Sequence, residues 1–174
     1  MHLFAYGSNL CSARLRARVP SARPLGVARL RGHALRFHKR GWRDGSGKAD
    51  AYATRSRGDR VWGVVFRIDP LEKPDLDRVE GLGKGYDEAR RTVEGRDGRH
   101  WRAWLYRADR SAIDAAAVPF RWYRDLVLAG AREHGLPDHY VRGLIATVPA
   151  RPDPDAARAR RHRALLGVPG VPVR

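Results

Sequence analysis

The sequence predicts an α+β domain, and three stretches carry that expectation. Phe4-Ala5-Tyr6-Gly7-Ser8-Asn9-Leu10 runs from an apolar strand through a polar turn into a helical segment. Val61-Trp62-Gly63-Val64-Val65-Phe66-Arg67-Ile68 is the most apolar strand of the chain and is expected to be central. Pro119 to Glu133 is the longest helical pattern, with Phe120, Tyr123, Leu126, Val127 and Ala131 on one face. With 174 residues the chain is long enough for one domain around a single core.

Taken in order, Leu3 to Tyr6 reads as a short buried strand. Cys11 to Arg18 reads as a helix with Leu10 and Leu15 inward and Arg14, Arg16 and Arg18 outward, stopped by Pro20. Leu25 to His38 is extended, with a bend at Gly32. Gly41 to Asp50, with three glycines, a serine and two aspartates, is expected to be a mobile loop. Trp42 in that loop is read as packed against the domain rather than as covering a site. Ala51–Arg55 and Val61–Ile68 are expected to pair as a hairpin around Arg57-Gly58-Asp59. Asp69-Pro70 opens a helix, since proline suits its first position. Leu71, Leu76 and Val79 are expected inward, and the helix ends at Glu80-Gly81. Leu82 to Gly85 is a turn. Tyr86–Val93 and Trp101–Tyr106 alternate as strands, and Ser111 to Val118 is a linker or short helix. Gly135-Leu136-Pro137 breaks the long helix, and Asp138 is expected to cap a last core helix through Ile145. From these elements a domain is expected over residues 1–148. Residues 149–174 form a tail rich in Arg, Pro and Ala, helical over Asp155–Leu166 and loose beyond.

Composition narrows the function classes. Thirty-five basic residues against nineteen acidic ones give a net charge of +16. A charge of this size attracts polyanions, which keeps a nucleic-acid-binding protein as the alternative reading. Against it, only four of the basic residues are lysines, the arginines are scattered, and no aromatic RNA-binding strand or zinc-finger spacing accompanies them. No apolar run approaches the roughly 20 residues of a membrane span. The start, Met1-His2-Leu3, carries no basic leader, and Cys11 has no cysteine to pair with, so the expected location is the cytoplasm.

Two elements carry candidate chemistry. In Tyr6-Gly7-Ser8-Asn9 a glycine is followed by two good N-cap residues at a helix start. Unpaired N–H groups and a partial positive charge there suit a carboxylate, a phosphate or a developing oxyanion. Strand–turn–helix corners that bind nothing are the competing explanation. Glu80 closes an amphipathic helix beside Leu76 and Val79. An acid held there and partly dehydrated suits a group that takes a proton and later returns it. A solvated helix-end glutamate is the plainer alternative. Other candidates are weaker. The histidine pairs His33/His38 and His134/His139 lie five apart and share no helix face, so no metal site is expected. Cys11 sits near a helix start, where a thiolate is favoured, but no histidine is placed as its base. Gly81-Leu82-Gly83-Lys84-Gly85 lacks the ending of a phosphate loop and opens no helix.

Together these residues resemble the γ-glutamylcyclotransferase family. The family's opening Tyr-Gly-Ser-Asn-Leu stands at Tyr6–Leu10, and its Val-Trp-Gly-Val-Val strand at Val61–Val65. Its Glu-Gly element followed by a tyrosine stands at Glu80-Gly81 and Tyr86, and its Gly-Ala-Lys-Glu-Asn-Gly-Leu-Pro helix end is matched by Gly130–Pro137. The similarity runs from about residue 3 to 148. It implies a compact α+β fold whose mixed sheet closes, or nearly closes, into a small β-barrel flanked by helices. It implies an enzyme that cuts γ-glutamyl amides by cyclisation, releasing 5-oxoproline and a free amine, with no cofactor, no metal and no covalent intermediate. By position, Tyr6, Gly7, Ser8 and Asn9 would hold the γ-glutamyl group through backbone N–H donors. Glu80 would be the general base and acid, and Tyr86, Tyr106 and Tyr123 would line the pocket. The partner is then a small γ-glutamyl substrate, γ-glutamyl amino acids first, with a homodimer expected from the family and no membrane. A catalytically silent binding member of the fold is the other reading. Leu3 stands where an aromatic is common, and residues 41–50 and the tail have no counterpart in the family pattern, which leaves the leaving-group side open.

Overall fold

The computed structural model describes residues 1–54 and 56–167. Its strands are β1 (His2–Ala5), β2 (Arg23–Arg31), β3 (His33–Arg40), β4 (Gly47–Ala53), β5 (Arg60–Arg67), β6 (Tyr86–Gly95) and β7 (His100–Ala108). Five of these close a barrel in the order β1-β5-β2-β6-β7, with β7 meeting β1 in parallel at Trp104 and Leu3. β3 and β4 form a separate two-stranded ribbon. The helices are α1 (Ser12–Arg16), α2 (Lys73–Glu80), α3 (Arg121–Glu133), α4 (Asp138–Tyr140) and α5 (Ala156–Ala164). The mixed fold and the closed barrel agree with expectation. No helix among the described residues is long and apolar enough to cross a membrane.

β5 is central because Val61 to Phe66 are all buried and it pairs on both edges, with β1 and β2. Gly63 is required there: a Cβ would stand 2.3 Å from the Ala5 carbonyl oxygen on β1. The expected hairpin between 51–55 and 61–68 does not form, and Arg55 lies outside the described residues. β4 pairs with β3, from His33↔Ala53 to Arg40↔Gly47. The longer apolar strand β2 takes the edge of β5 instead, setting Val27 against Val64 and Leu30 against Val61. The bend at Gly32 is real (φ 69°) and separates β2 from β3.

The loop expected over 41–50 is also corrected. Gly47 to Asp50 belong to β4, and Ser46, Ala49 and Asp50 are almost fully buried. Its polar residues bond to one another. Asp44 Oδ1 accepts from the Ser46 amide and hydroxyl, both at 3.0 Å, and its carboxylate pairs with Lys48 at 2.9 Å. Asp50 accepts from the Ala108 amide at 2.8 Å and pairs with His38 at 2.9 Å, tying the ribbon to β7.

α2 presents a different face from the one expected. Leu71 is 86% exposed and Val79 is 40% exposed, and of the three apolar residues Leu76 alone is buried. The inward stripe is Lys73, Leu76, Asp77 and Glu80, at the i, i+3, i+4, i+7 spacing of one helix face. It is polar because it faces the site. At its end Gly81 takes a left-handed conformation (φ 76°), the usual helix stop.

α3 runs within two residues of the predicted span and buries Tyr123, Leu126, Val127 and Ala131. Gly130 lets it lie against the backbone of the opening turn, where a Cβ would stand 2.2 Å from the Cys11 nitrogen. Asp138 caps nothing; it lies within the first turn of α4, which continues as a π turn over Val141–Ile145, and it pairs with Arg142. In the tail, α5 matches the expected helix and ends in a turn at Leu165–Gly167. α5 packs on α3: His162 stacks on Trp122 at 3.9 Å, while the Trp122 indole N–H donates to Asp153 at 2.7 Å. The loose segment expected at the end lies outside the described residues from position 168.

Candidate active site

The opening turn is shorter than a helix start suggests. Ser8–Leu10 form a single 3₁₀ turn, Cys11 is extended (φ −67°, ψ 111°), and α1 begins only at Ser12. Neither Ser8 nor Asn9 caps the turn with its side chain. Instead, Ser8 Oγ accepts from Arg14 Nε at 3.0 Å, and Asn9 Nδ2 donates to Glu80 Oε1 at 3.1 Å. The first N–H groups of such a turn have no partners within it, so Gly7, Ser8 and Asn9 still present donors.

Glu80 reaches this turn from the C-terminal end of α2. Its carboxylate is paired with Arg18, and Arg18 also donates to Asn9 Oδ1 at 2.8 Å. The side chains of Glu80 and Arg18 are each 16% exposed. The apolar surroundings expected for Glu80 are thus replaced by a cation and an amide. Arg14 and Arg18, expected outward, both face the site, and Arg14 is buried. Burial, then the neighbouring Arg18 charge, brings Arg14 down to about 10.

The tyrosines form the walls. Tyr6 donates to the Tyr106 carbonyl, and Tyr106 donates to Asp77 at 2.6 Å. The Tyr86 hydroxyl donates to the Ala49 carbonyl at 2.6 Å, and the Tyr123 hydroxyl accepts from the Ala49 amide at 3.0 Å. Burial raises Tyr6, Tyr86, Tyr106 and Tyr123 above the usual phenol range, so all four are neutral hydroxyls. Tyr6, Gly7, Ser8, Asn9, Glu80, Tyr86, Tyr106 and Tyr123, the eight residues nominated from the sequence, all line one inner pocket of about 30 Å³. That is about one water's share of liquid volume.

Ser8, Glu80, Tyr86 and Tyr123 also line a larger outer cleft of about 430 Å³. Its other walls come from α1, the 41–48 segment and α5. Trp42 stands there 46% exposed, so it covers a site wall rather than packing into the domain. Its indole lies over Gly81, where a Cβ would meet Nε1 at 2.6 Å, and Lys84 and Arg43 sit over its ring. Arg14, Arg18, Lys39 and Ala49 are site residues that the sequence reading missed. The i, i+4 spacing of Arg14 and Arg18 directly after the turn is the one signal in the sequence that could have found two of them. No group of three metal-ligating side chains is gathered among the described residues.

The chain is similar in sequence and fold to known proteins. Residues 60–144 match the pattern of the AIG2-like family. Mouse γ-glutamylcyclotransferase is 37% identical over 153 residues, covering 84% of this chain and 78% of that protein. Human γ-glutamylcyclotransferase is 34% identical over 151 residues, with the same coverage of each. A solved structure of a γ-glutamyl cyclotransferase superimposes with a TM-score of 0.78 at 29% identity, covering 87% of this chain and 89% of that one. On this sequence identity, over this share of both chains, the protein belongs to the γ-glutamylcyclotransferase family.

Proposed function

We propose that the chain converts γ-glutamyl amides into 5-oxoproline and a free amine, with Glu80 carrying the protons. The observation that carries this reading is the bond from Asn9 Nδ2 to Glu80 Oε1 at 3.1 Å, which joins the acid to the turn's N–H donors in one pocket. The γ-glutamyl end enters against that turn, and its leaving amine extends into the outer cleft. The substrate's α-nitrogen attacks its own γ-carbonyl and closes a five-membered ring. Because the nucleophile is tethered, orientation alone can remove roughly 7–11 kcal/mol of barrier. The turn's N–H groups receive the oxyanion, worth about 3–4 kcal/mol for one well-placed donor.

The α-ammonium loses two protons in the course of the reaction and the leaving nitrogen gains two. Glu80 takes each from the first and returns it to the second, so the balance closes without an outside acid or base. Arg18 and Asn9 hold the carboxylate in place for both transfers. The C–N bond breaks as the tetrahedral centre collapses, and no step calls for a metal or a covalent enzyme intermediate. The buried, unpaired Cys11 suits the reducing cytoplasm. The test is 5-oxoproline release from a panel of γ-glutamyl dipeptides and γ-glutamyl amines. Glu80→Gln is expected to keep the fold and lose turnover. A Glu80→Gln or Glu80→Ala protein that keeps its activity refutes the assignment.

A further inference from the structure

The outer cleft carries an excess of positive charge. Seven basic side chains and three acidic ones line it. Three of the basic groups are matched: Arg18 by Glu80, Lys48 by Asp44, and Arg158 by Asp153 and Asp155. Arg14, Lys39, Arg43 and Arg161 have no carboxylate partner among the described residues. His162, lowered to about 4 by burial and then by the Arg14 charge, is neutral and cancels nothing.

Two of the four unmatched cations are buried. Lys39 is 1% exposed, and its ammonium lies 4.4 Å from the centre of the Tyr86 ring. In the ribbon it stands directly opposite Lys48, so two like charges share one face, an unfavourable pairing in a sheet. Arg14 is 6% exposed and spends its donors on Ser8 Oγ and His162 Nδ1, both uncharged. A charge withdrawn from water without a counter-ion is costly. Two of them in the wall of one cleft call for anions that arrive with the substrate.

We propose that the cleft selects γ-glutamyl amides whose leaving amine carries two carboxylates, as in γ-glutamyl-glutamate and γ-glutamyl-aspartate. Lys39 and Arg14 receive the carboxylate nearest the scissile bond, and Arg43 and Arg161 at the rim receive the second. This rests on the cyclotransferase reading above, and it gives α5 and the 41–48 segment a common purpose: both supply the side of the cleft where the leaving group lies. A neutral leaving amine leaves the buried pair unmatched, which penalises it.

The experiment compares γ-glutamyl-glutamate with γ-glutamyl-glutamine, nearly equal in shape and different by one charge, by 5-oxoproline release from the full chain. The expected kcat/KM ratio favours γ-glutamyl-glutamate by at least about tenfold, as for a charge-assisted contact, and it shrinks at high salt. Arg43→Gln and Arg161→Gln are each expected to bring the ratio toward one, since they face the carboxylate by which the two peptides differ; both are exposed, so the variants test charge without disturbing the core. A ratio near one in the wild type, or a ratio that persists in both variants, overturns the proposal. Should neither peptide be turned over, calorimetric titration of the same pair separates the two readings. Tighter binding of γ-glutamyl-glutamate keeps the charge selection while the reaction is refuted, and equal binding or none refutes both.

Discussion

Replacing Gly130 with alanine tests how closely the long helix governs the site. The added Cβ would lie 2.2 Å from the Cys11 nitrogen and from the Leu10 carbonyl carbon, and 2.6 Å from Leu10 Cβ. Real Cβ atoms essentially never approach closer than 3.0 Å, so α3 and the opening turn must separate by about 0.8 Å. Overpacking of this kind costs about 1–3 kcal/mol, against a gain of about 1 kcal/mol from alanine's helix propensity. Because the clash is with backbone rather than with a flexible side chain, relief is not cheap; the net loss is up to about 2 kcal/mol, and the melting temperature falls by up to about 8 °C. Turnover is affected more, because the turn that moves is the one carrying Gly7, Ser8 and Asn9. A displacement near 1 Å away from the reacting atoms can cost about a hundredfold. The expected result is a folded Gly130→Ala protein with kcat reduced at least tenfold. Gly143→Ala is the control, since nothing lies within 4 Å of its new Cβ. A Gly130→Ala enzyme with kcat within twofold of wild type refutes the claim that α3 fixes the turn.

Tyr86→Phe and Tyr123→Phe each remove one of the two hydroxyls that hold Ala49. Each is expected to lower stability by about 1 kcal/mol, read as a shift of the denaturant midpoint; loss of both hydroxyls together should leave β4 exchanging its amide protons faster. An unchanged exchange rate at Ala49 in the double variant would show that the ribbon is held elsewhere. His162 gives a pH prediction. Its folded value of about 4 lies below the usual value near 6.5, through burial first and then Arg14, so the unfolded form takes up a proton before the folded one. The docking of α5 is therefore at full strength above about pH 6.5 and weakens as pH falls toward 4. Trp122 fluorescence should follow this, and His162→Phe, which keeps the stacking, should flatten the curve between those limits. A wild-type signal flat from pH 7 to 4 contradicts the assignment.

The pieces legible from the sequence were those fixed by short spacing. The turn at Tyr6–Asn9, the apolar run of β5 and the stripe of α3 each carry their pattern within a dozen residues. Two of the four motifs supply six of the eight nominated residues, and Tyr106 and Tyr123, nominated from the family's tyrosines, line the same pocket. The misreadings concern polar groups whose partners are other side chains or backbone groups rather than solvent. Residues 41–50 look like a flexible loop because their glycines and polar groups match water as well as they match one another. Only the Tyr86 and Tyr123 hydroxyls make Ala49 a wall of the site. In α2 apolar spacing does not mark the inward face. Leu71 and Val79 turn outward, while Asp77 and Glu80 turn toward tyrosines more than twenty residues away. The outward placement expected of Arg14 and Arg18 fails because their partners are Ser8, Asn9, Glu80 and His162.

The parallel contact between β1 and β7 has a kinetic consequence. The strand that leads into the turn precedes the other strands of the barrel in the chain, and it waits for Trp104 to close the barrel. Further ties to the same region reach 71 residues on to Glu80, 100 to Tyr106 and 121 to Glu133. Loops of that length must be brought together before their contacts give anything back, which makes for a slow, late-closing folding step. A nascent chain stopped before α3 carries its opening segment with no helix to seat it, and is exposed to aggregation until Gly130 emerges.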